Sequence, residues 1–132
     1  MEELRLLYLD LMKKCLVNMI YGDSEPGAAF VPSRFWEPTM VRVLEKFGLR
    51  LVWTKSFDPR LRKEGRDWPI TAHTMIGLNR LDNIQHCFNT LLKDRIPGDL
   101  AEAGVWRGGA TIFMRALLKA YQVTDRIVWV AD

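Results

Sequence analysis

The sequence predicts an α/β protein: helices through about the first 95 residues, then a single strand–helix–strand unit. Two observations carry this. From Glu2 to about Ile20, apolar residues recur three and four apart, which is the stripe of an amphipathic helix. The last 35 or so residues change character, with a short extended segment, a glycine turn, a helical stretch and an uninterrupted apolar run in succession. At 132 residues, 48% hydrophobic and 27% charged, the chain has the size and balance of about one globular domain.

Leu4, Leu7, Leu11, Cys15 and Met19 form the first row of the opening helix, and Leu6, Leu9, Met12, Leu16 and Ile20 add a second, so more than one side is expected to be covered. Gly22 should end it. Residues 22–37, with two Gly and two Pro and no sustained period, read as a loop. A short helix is expected near Pro38, with Val41, Leu44 and Phe47 inward and Gly48 as its stop. Leu49–Trp53 reads as extended and 54–70 as a charged loop. A longer helix follows between Ala72 and Lys93, weakened at its start by Gly77. Pro97–Gly98 breaks the chain. Then come an extended DLAEAGV, the turn WRGG, a helix over Ala110–Tyr121 and a strand over Ile127–Ala131. Strands buried on both faces read as apolar runs of this kind.

Composition and charge exclude several classes. No apolar run reaches the ~18–20 residues of a membrane span. MEELRLLYLDLMKKC lacks the basic-then-apolar order of a secretory signal. Cys15 and Cys87 are too few for a disulfide framework and fall on apolar helical faces, so they read as reduced core thiols of a cytoplasmic protein. Between Arg42 and Asp67, eight basic residues face four acids. That stretch reads first as a solvated face plus a loop, and second as a basic rim for an anionic substrate or partner. A nucleic-acid surface is usually a denser basic stripe, but the interleaved Trp53, Phe57 and Trp68 keep that as a third, weaker reading.

The chemistry-bearing residues sit where the first strand meets the last helix, in Glu102-Ala-Gly104-Val-Trp-Arg107-Gly108-Gly109. Glycines there let the backbone turn tightly and let a ligand approach main-chain N–H groups. The spacing is not the Gly-x-Gly-x-x-Gly of dinucleotide sites. Asp132, at the carboxyl end of the second strand and 24 residues after Gly108, is placed to accept hydrogen bonds from a ribose diol. Spacing alone leaves two readings open: a nucleoside cofactor across the crest of the sheet, or a tight connection beside an ordinary surface aspartate.

The stretch GDLAEAGVWRGGATIFMRALLKAYQVTDRIVWVAD closely resembles the start of the methyltransferase domain of the macrocin O-methyltransferase family. LYLDLMKKCLVNMIYGD and AHTMIGLNRLDNIQHC resemble the family's N-terminal segments. The resemblance implies a Rossmann-like sheet under a helical lid formed by residues 1–95, with residues 96–132 as its first βαβ unit. It implies S-adenosylmethionine as cofactor and a sugar hydroxyl of a glycosylated natural product, such as a macrolide, as acceptor. By the same resemblance, Glu102 and Gly104 line the methionine end of the cofactor, and Gly108 and Gly109 allow the close backbone approach. Arg107 either meets the cofactor carboxylate or points to water. Thr74 and Met75, ahead of the long helix, either pack over the cofactor or belong to the core. Asp82 and Asn83 read as helix surface. His73 and His86, with no carboxylate at a useful spacing, read as structural or surface residues.

Family members continue past the residue matching Asp132, and the resemblance places their magnesium-binding carboxylates and catalytic base there. The chain is therefore expected to be an N-terminal portion, apparently truncated, with no catalytic residue of its own to name. The alternative is a non-catalytic, methyltransferase-like docking or assembly module. Neither reading calls for nucleic acid or a membrane. Because a half sheet with apolar faces seeks cover, a homo-oligomer is also expected.

Overall fold

In the computed structural model, which describes residues 1–21, 25–29 and 37–132, the chain runs α1 (Glu2–Leu16), β1 (Glu25–Ala29), α2 (Glu37–Lys46), β2 (Val52–Lys55), α3 (Pro59–Glu64), α4 (Gly77–Lys93), β3 (Leu100–Ala103), α5 (Gly109–Ala120) and β4 (Val128–Ala131). Backbone contacts divide it into two compact units, one of residues 1–22 and 58–132 and the other of 23–57.

The larger unit holds the expected βαβ motif. β3 and β4 pair in parallel, from Leu100 opposite Val128 to Ala103 opposite Ala131, with α5 as the crossover. α5 is apolar on a broad face and buries Phe113, Met114, Ala116, Leu117 and Leu118. Of these, Phe113, Leu117 and Leu118 meet Leu9, Leu16 and Val17 from α1 and its end, and Leu81 and Phe88 from α4, in one core. The Phe88 and Tyr121 rings close one side of it edge to face, 5.4 Å apart. Glu2 and Glu3 in the first turn of α1, with Lys13 and Lys14 in its last, suit the helix dipole.

The inward face of α1 differs from the first stripe. Leu9 and Leu16 are buried and Met12 half-buried, whereas Leu4, Leu7, Leu11 and Cys15 are exposed. Both rows have helical spacing, so periodicity alone does not choose between them; the neighbours α5 and α4 do. The cysteines correct the core reading in the same way. Cys15 lies in the outward row, and Cys87 is exposed at an apolar groove it shares with Ile84, Phe88, Leu91, Leu100, Met114 and Leu117.

Part of the charged loop over 54–70 is a helix. Asp58 caps α3 by accepting hydrogen bonds from the Arg60 and Leu61 amides (2.8 and 3.3 Å), Pro59 opens its first turn and Gly65 closes it in a left-handed conformation. α4 begins at Gly77 rather than Ala72. Gly77 has φ +77°, and a Cβ there would lie 2.3 Å from the Gly65 nitrogen, so the two glycines let α3 and α4 meet backbone to backbone. His73 and His86 are both exposed.

In the smaller unit, β1 and β2 pair antiparallel, Glu25 with Lys55, Pro26 with Thr54 and Ala29 with Val52, with a register shift between Pro26 and Ala29. β1 corrects the loop reading of 22–37 at these five residues, because a two-stranded antiparallel edge tolerates the proline and glycine that read as breakers. The remainder of that reading, at 22–24 and 30–36, lies outside the described residues. α2 and its Gly48 stop (φ 72°) stand where expected, with Val41 and Leu44 half-buried, but Phe47, expected to point inward, is exposed. No helix among the described residues is long and apolar enough to cross a membrane.

Candidate functional site

The carboxyl ends of β3 and β4 and the first turn of α5 form one crest, and the larger unit brings Glu102, Gly104, Arg107, Gly108, Gly109 and Asp132 to it. Glu102 lies near the end of β3, where Leu100 and Glu102 are half-buried and Ala101 and Ala103 exposed. Its Oε2 accepts a hydrogen bond from the Thr111 hydroxyl in the first turn of α5. Among the described residues, no Lys, Arg or His forms an ion pair with Glu102. A half-buried carboxylate at a helix N-terminus is favoured by the helix dipole. It keeps acceptor capacity for a further donor, since an ionised carboxylate offers about four lone-pair sites.

Across the crest, the Asp132 Oδ1 accepts the Val105 amide at 3.2 Å, which links the end of β4 to the turn after β3. The Gly104 amide donates to the Ala131 carbonyl at 2.9 Å and carries the pairing of the strands one step further. Gly104 and Gly108 both have left-handed backbones, with φ 80° and 74°. Trp106, between them, also has positive φ (47°) and meets Trp68 edge-on at 6.0 Å.

A strap of residues 66–76 lies against this turn. The Arg107 Nη1 donates to the Ile70 and Ala72 carbonyls, and its guanidinium stacks over the Trp106 ring at 4.5 Å. The Gly109 amide donates to the His73 carbonyl at 3.0 Å, and a Cβ at Gly109 would lie 2.5 Å from that oxygen. The close approach at Gly109 is thus made by the chain's own strap. The amides of His73 and Thr74 donate in turn to the Leu16 carbonyl at the end of α1, at 2.8 and 3.2 Å. Thr74 is buried, its hydroxyl accepting from the Ile76 amide at 3.4 Å, and Met75 is half-buried beside it.

The strap has a buried polar anchor as well. The Arg62 Nη1 donates to the Val17 carbonyl at 2.6 Å, and its Nε meets Asp67 Oδ2 at 2.5 Å. One member of the basic stretch over 42–67 is therefore interior rather than solvated. At the opposite end of the strands, Asp99 accepts from the Ile127 amide (3.0 Å) and the Trp129 indole (2.9 Å). The Ile127 amide, with smaller help from Trp129 and the Arg126 charge, holds the Asp99 carboxyl below its ordinary value of 3.8.

Thr111 and the Arg62–Asp67 pair were not legible as site elements. A threonine three residues into a helix carries no spacing signal for a glutamate on the strand before it, and neither does an arginine in a basic run. No cluster of three or more His, Cys, Asp and Glu side chains suited to a metal ion occurs among the described residues.

The chain is similar to known proteins over nearly its whole length. A family profile described as "Macrocin-O-methyltransferase (TylF)" matches residues 5–132. A tetracenomycin-type 4'-O-methyltransferase of Streptomyces olivaceus, "8-demethyl-8-(2,3-dimethoxy-alpha-L-rhamnosyl)-tetracenomycin-C 4'-O-methyltransferase", is 53% identical over 99% of this chain and 42% of its own length. "Mycinamicin III 3''-O-methyltransferase" of Micromonospora griseorubida is 45% identical over 96% of this chain and 41% of its own. A solved structure, "Structure of the O-methyltransferase NovP", superposes with a TM-score of 0.71 at 42% identity, covering 97% of this chain and 42% of that one. The chain spans about two fifths of the length of these relatives. With nearly every residue matched, the chain belongs to the macrocin O-methyltransferase family.

Proposed function

We propose that this chain is the cofactor-binding portion of an S-adenosylmethionine-dependent O-methyltransferase that acts on a sugar hydroxyl of a glycosylated natural product. The observation that carries the reading is Glu102, a half-buried carboxylate with no cationic partner among the described residues, on the same crest as Asp132. An amino-acid ammonium would complete Glu102, and a ribose diol would meet Asp132. The distance between the two roles is that between the ends of neighbouring parallel strands, and a nucleoside bearing an amino-acid tail can span it.

When bound, the cofactor supplies an electrophilic methyl group. The residues here bind and orient: Glu102 and Gly104 at the methionine end, Gly108 along the turn, Asp132 at the ribose, and Thr74 and Met75 over the top, while Gly109 and Arg107 act indirectly by holding the strap of 66–76 against the turn. Fixing the reactants in line supplies much of the rate in such a displacement. In this reading the parts of the larger unit that precede residue 96 serve as a lid at the crest of the βαβ unit of 96–132. Magnesium, the general base and the acceptor pocket are assigned to parts of the protein outside these residues. The reading places the protein in the cytoplasm and needs neither nucleic acid nor a membrane.

The test is calorimetry of S-adenosylmethionine binding by the full-length protein and its Glu102→Gln variant. Loss of a charge-assisted contact should weaken binding by about tenfold or more, on a scale of ~1.4 kcal/mol per decade. Equal affinities for the two proteins would rule out Glu102 as the ammonium acceptor.

A further inference from the structure

Glu102 shares its face of β3 with Leu100, which packs against the core beneath α5. Thr111, in the first turn of α5, faces the same layer and donates its hydroxyl to the Glu102 Oε2. Within a helix a threonine hydroxyl commonly returns to a carbonyl of the preceding turn. This one reaches instead to a strand residue nine positions earlier. Among the described residues it is the one hydrogen-bond partner of the Glu102 carboxylate.

We infer that Thr111 is a positioning residue, whose hydroxyl fixes the Glu102 carboxylate in the orientation that receives a ligand ammonium group. A glutamate side chain loses much rotamer freedom when it is held in one place. If the protein holds it before the ligand arrives, that ordering no longer weakens binding. The hydroxyl occupies one of about four lone-pair sites, so the acid remains able to accept from the ligand. Without the hydroxyl, the carboxylate is free to turn toward water at the open crest. The inference rests on the reading of Glu102 as the ammonium acceptor.

The test is a cycle between protein and ligand. Calorimetry on the full-length protein compares S-adenosylhomocysteine with its desamino counterpart, which lacks the ammonium group. The unmodified protein should prefer the amino form. Thr111→Val should lower affinity for the amino form roughly five- to tenfold, leave the desamino form unchanged, and so shrink the preference. Thr111→Ser should restore it. Equal weakening of both ligands by Thr111→Val, or no weakening of either, would overturn the inference. Thr111→Ala removes the hydroxyl without adding bulk and gives the same comparison should the valine variant fold poorly. Glu102→Gln separates the two ideas. If it leaves the preference intact, Glu102 is not the ammonium acceptor; if it removes the preference while Thr111→Val does not, the positioning role alone fails.

Discussion

Arg62 and Asp67 form a buried ion pair, Nε to Oδ2 at 2.5 Å, with the guanidinium also holding the Val17 carbonyl at the end of α1. Both side chains are nearly inaccessible, at 3% and 7% exposure, so neither charge has water as a substitute partner. Removing one partner strands the other in the interior. Arg62→Met should therefore lower stability by about 3 kcal/mol, as breaking a buried pair does. Urea denaturation followed by tryptophan fluorescence measures it. A loss below about 1 kcal/mol would mean the pair is not closed in solution.

The face of α1 that points inward can be read from two truncations. Leu9 is fully buried and Leu7 is 60% exposed, although both belong to helical rows of leucines. Leu9→Ala should cost about 2–5 kcal/mol, the range for a buried leucine. Leu7→Ala should cost well under that, within about 1 kcal/mol. Similar losses for the two would show that the outward row is covered in the folded protein.

At Gly109 a methyl group would collide with the His73 carbonyl and the Thr74 side chain, at 2.5 and 2.6 Å. Gly109→Ala should displace the strap from the turn, at a cost of about 1–3 kcal/mol as in other overpacked sites. Hydrogen exchange should quicken at His73 and Thr74, whose amides are bonded to Leu16. Unchanged protection there would mean that the strap does not depend on this contact.

Asp99 gives the strands a pH dependence with a definite sign. Its folded carboxyl titrates below the ordinary 3.8, chiefly because the Ile127 amide donates to it. Between that lowered value and 3.8 the unfolded chain binds more protons, so stability rises with pH. The contribution is complete above the unfolded value and is lost as pH falls through the folded one. Asp99→Asn should flatten the dependence of the melting temperature on pH below about pH 4. An unchanged acid limb would show that Asp99 does not hold these bonds in solution.

Asp132→Ala should weaken S-adenosylmethionine binding by the full-length protein roughly ten- to a hundredfold. That is the loss expected when about one charge-assisted hydrogen bond, of about 1.5–3 kcal/mol, goes uncompensated. The loss should fall on the cofactor and leave acceptor affinity little changed. Because Asp132 Oδ1 also holds the Val105 amide, a melting curve should accompany the measurement. Full cofactor affinity in a folded variant would remove Asp132 from the ribose role.

The βαβ unit was legible in the residues alone. A glycine turn between an apolar segment and an apolar helix, with a second apolar run after it, has few other solutions, and β3, α5 and β4 fall within two residues of where the pattern puts them. So was the family, since the motif around Glu102–Gly109 is narrow. The α3 helix was missed, because the charges over 54–70 read as loop, although an aspartate followed by proline and a closing glycine mark its two ends. Which leucine row of α1 is buried was settled by packing, because two rows with the same period differ only in what lies against them. Packing alone paired Arg62 with Asp67, brought the strap to Gly109 and set Thr111 on Glu102. Those contacts join residues whose local sequences carry no mark of each other, and they exist only where packing of the helices on the strands brings the groups within reach.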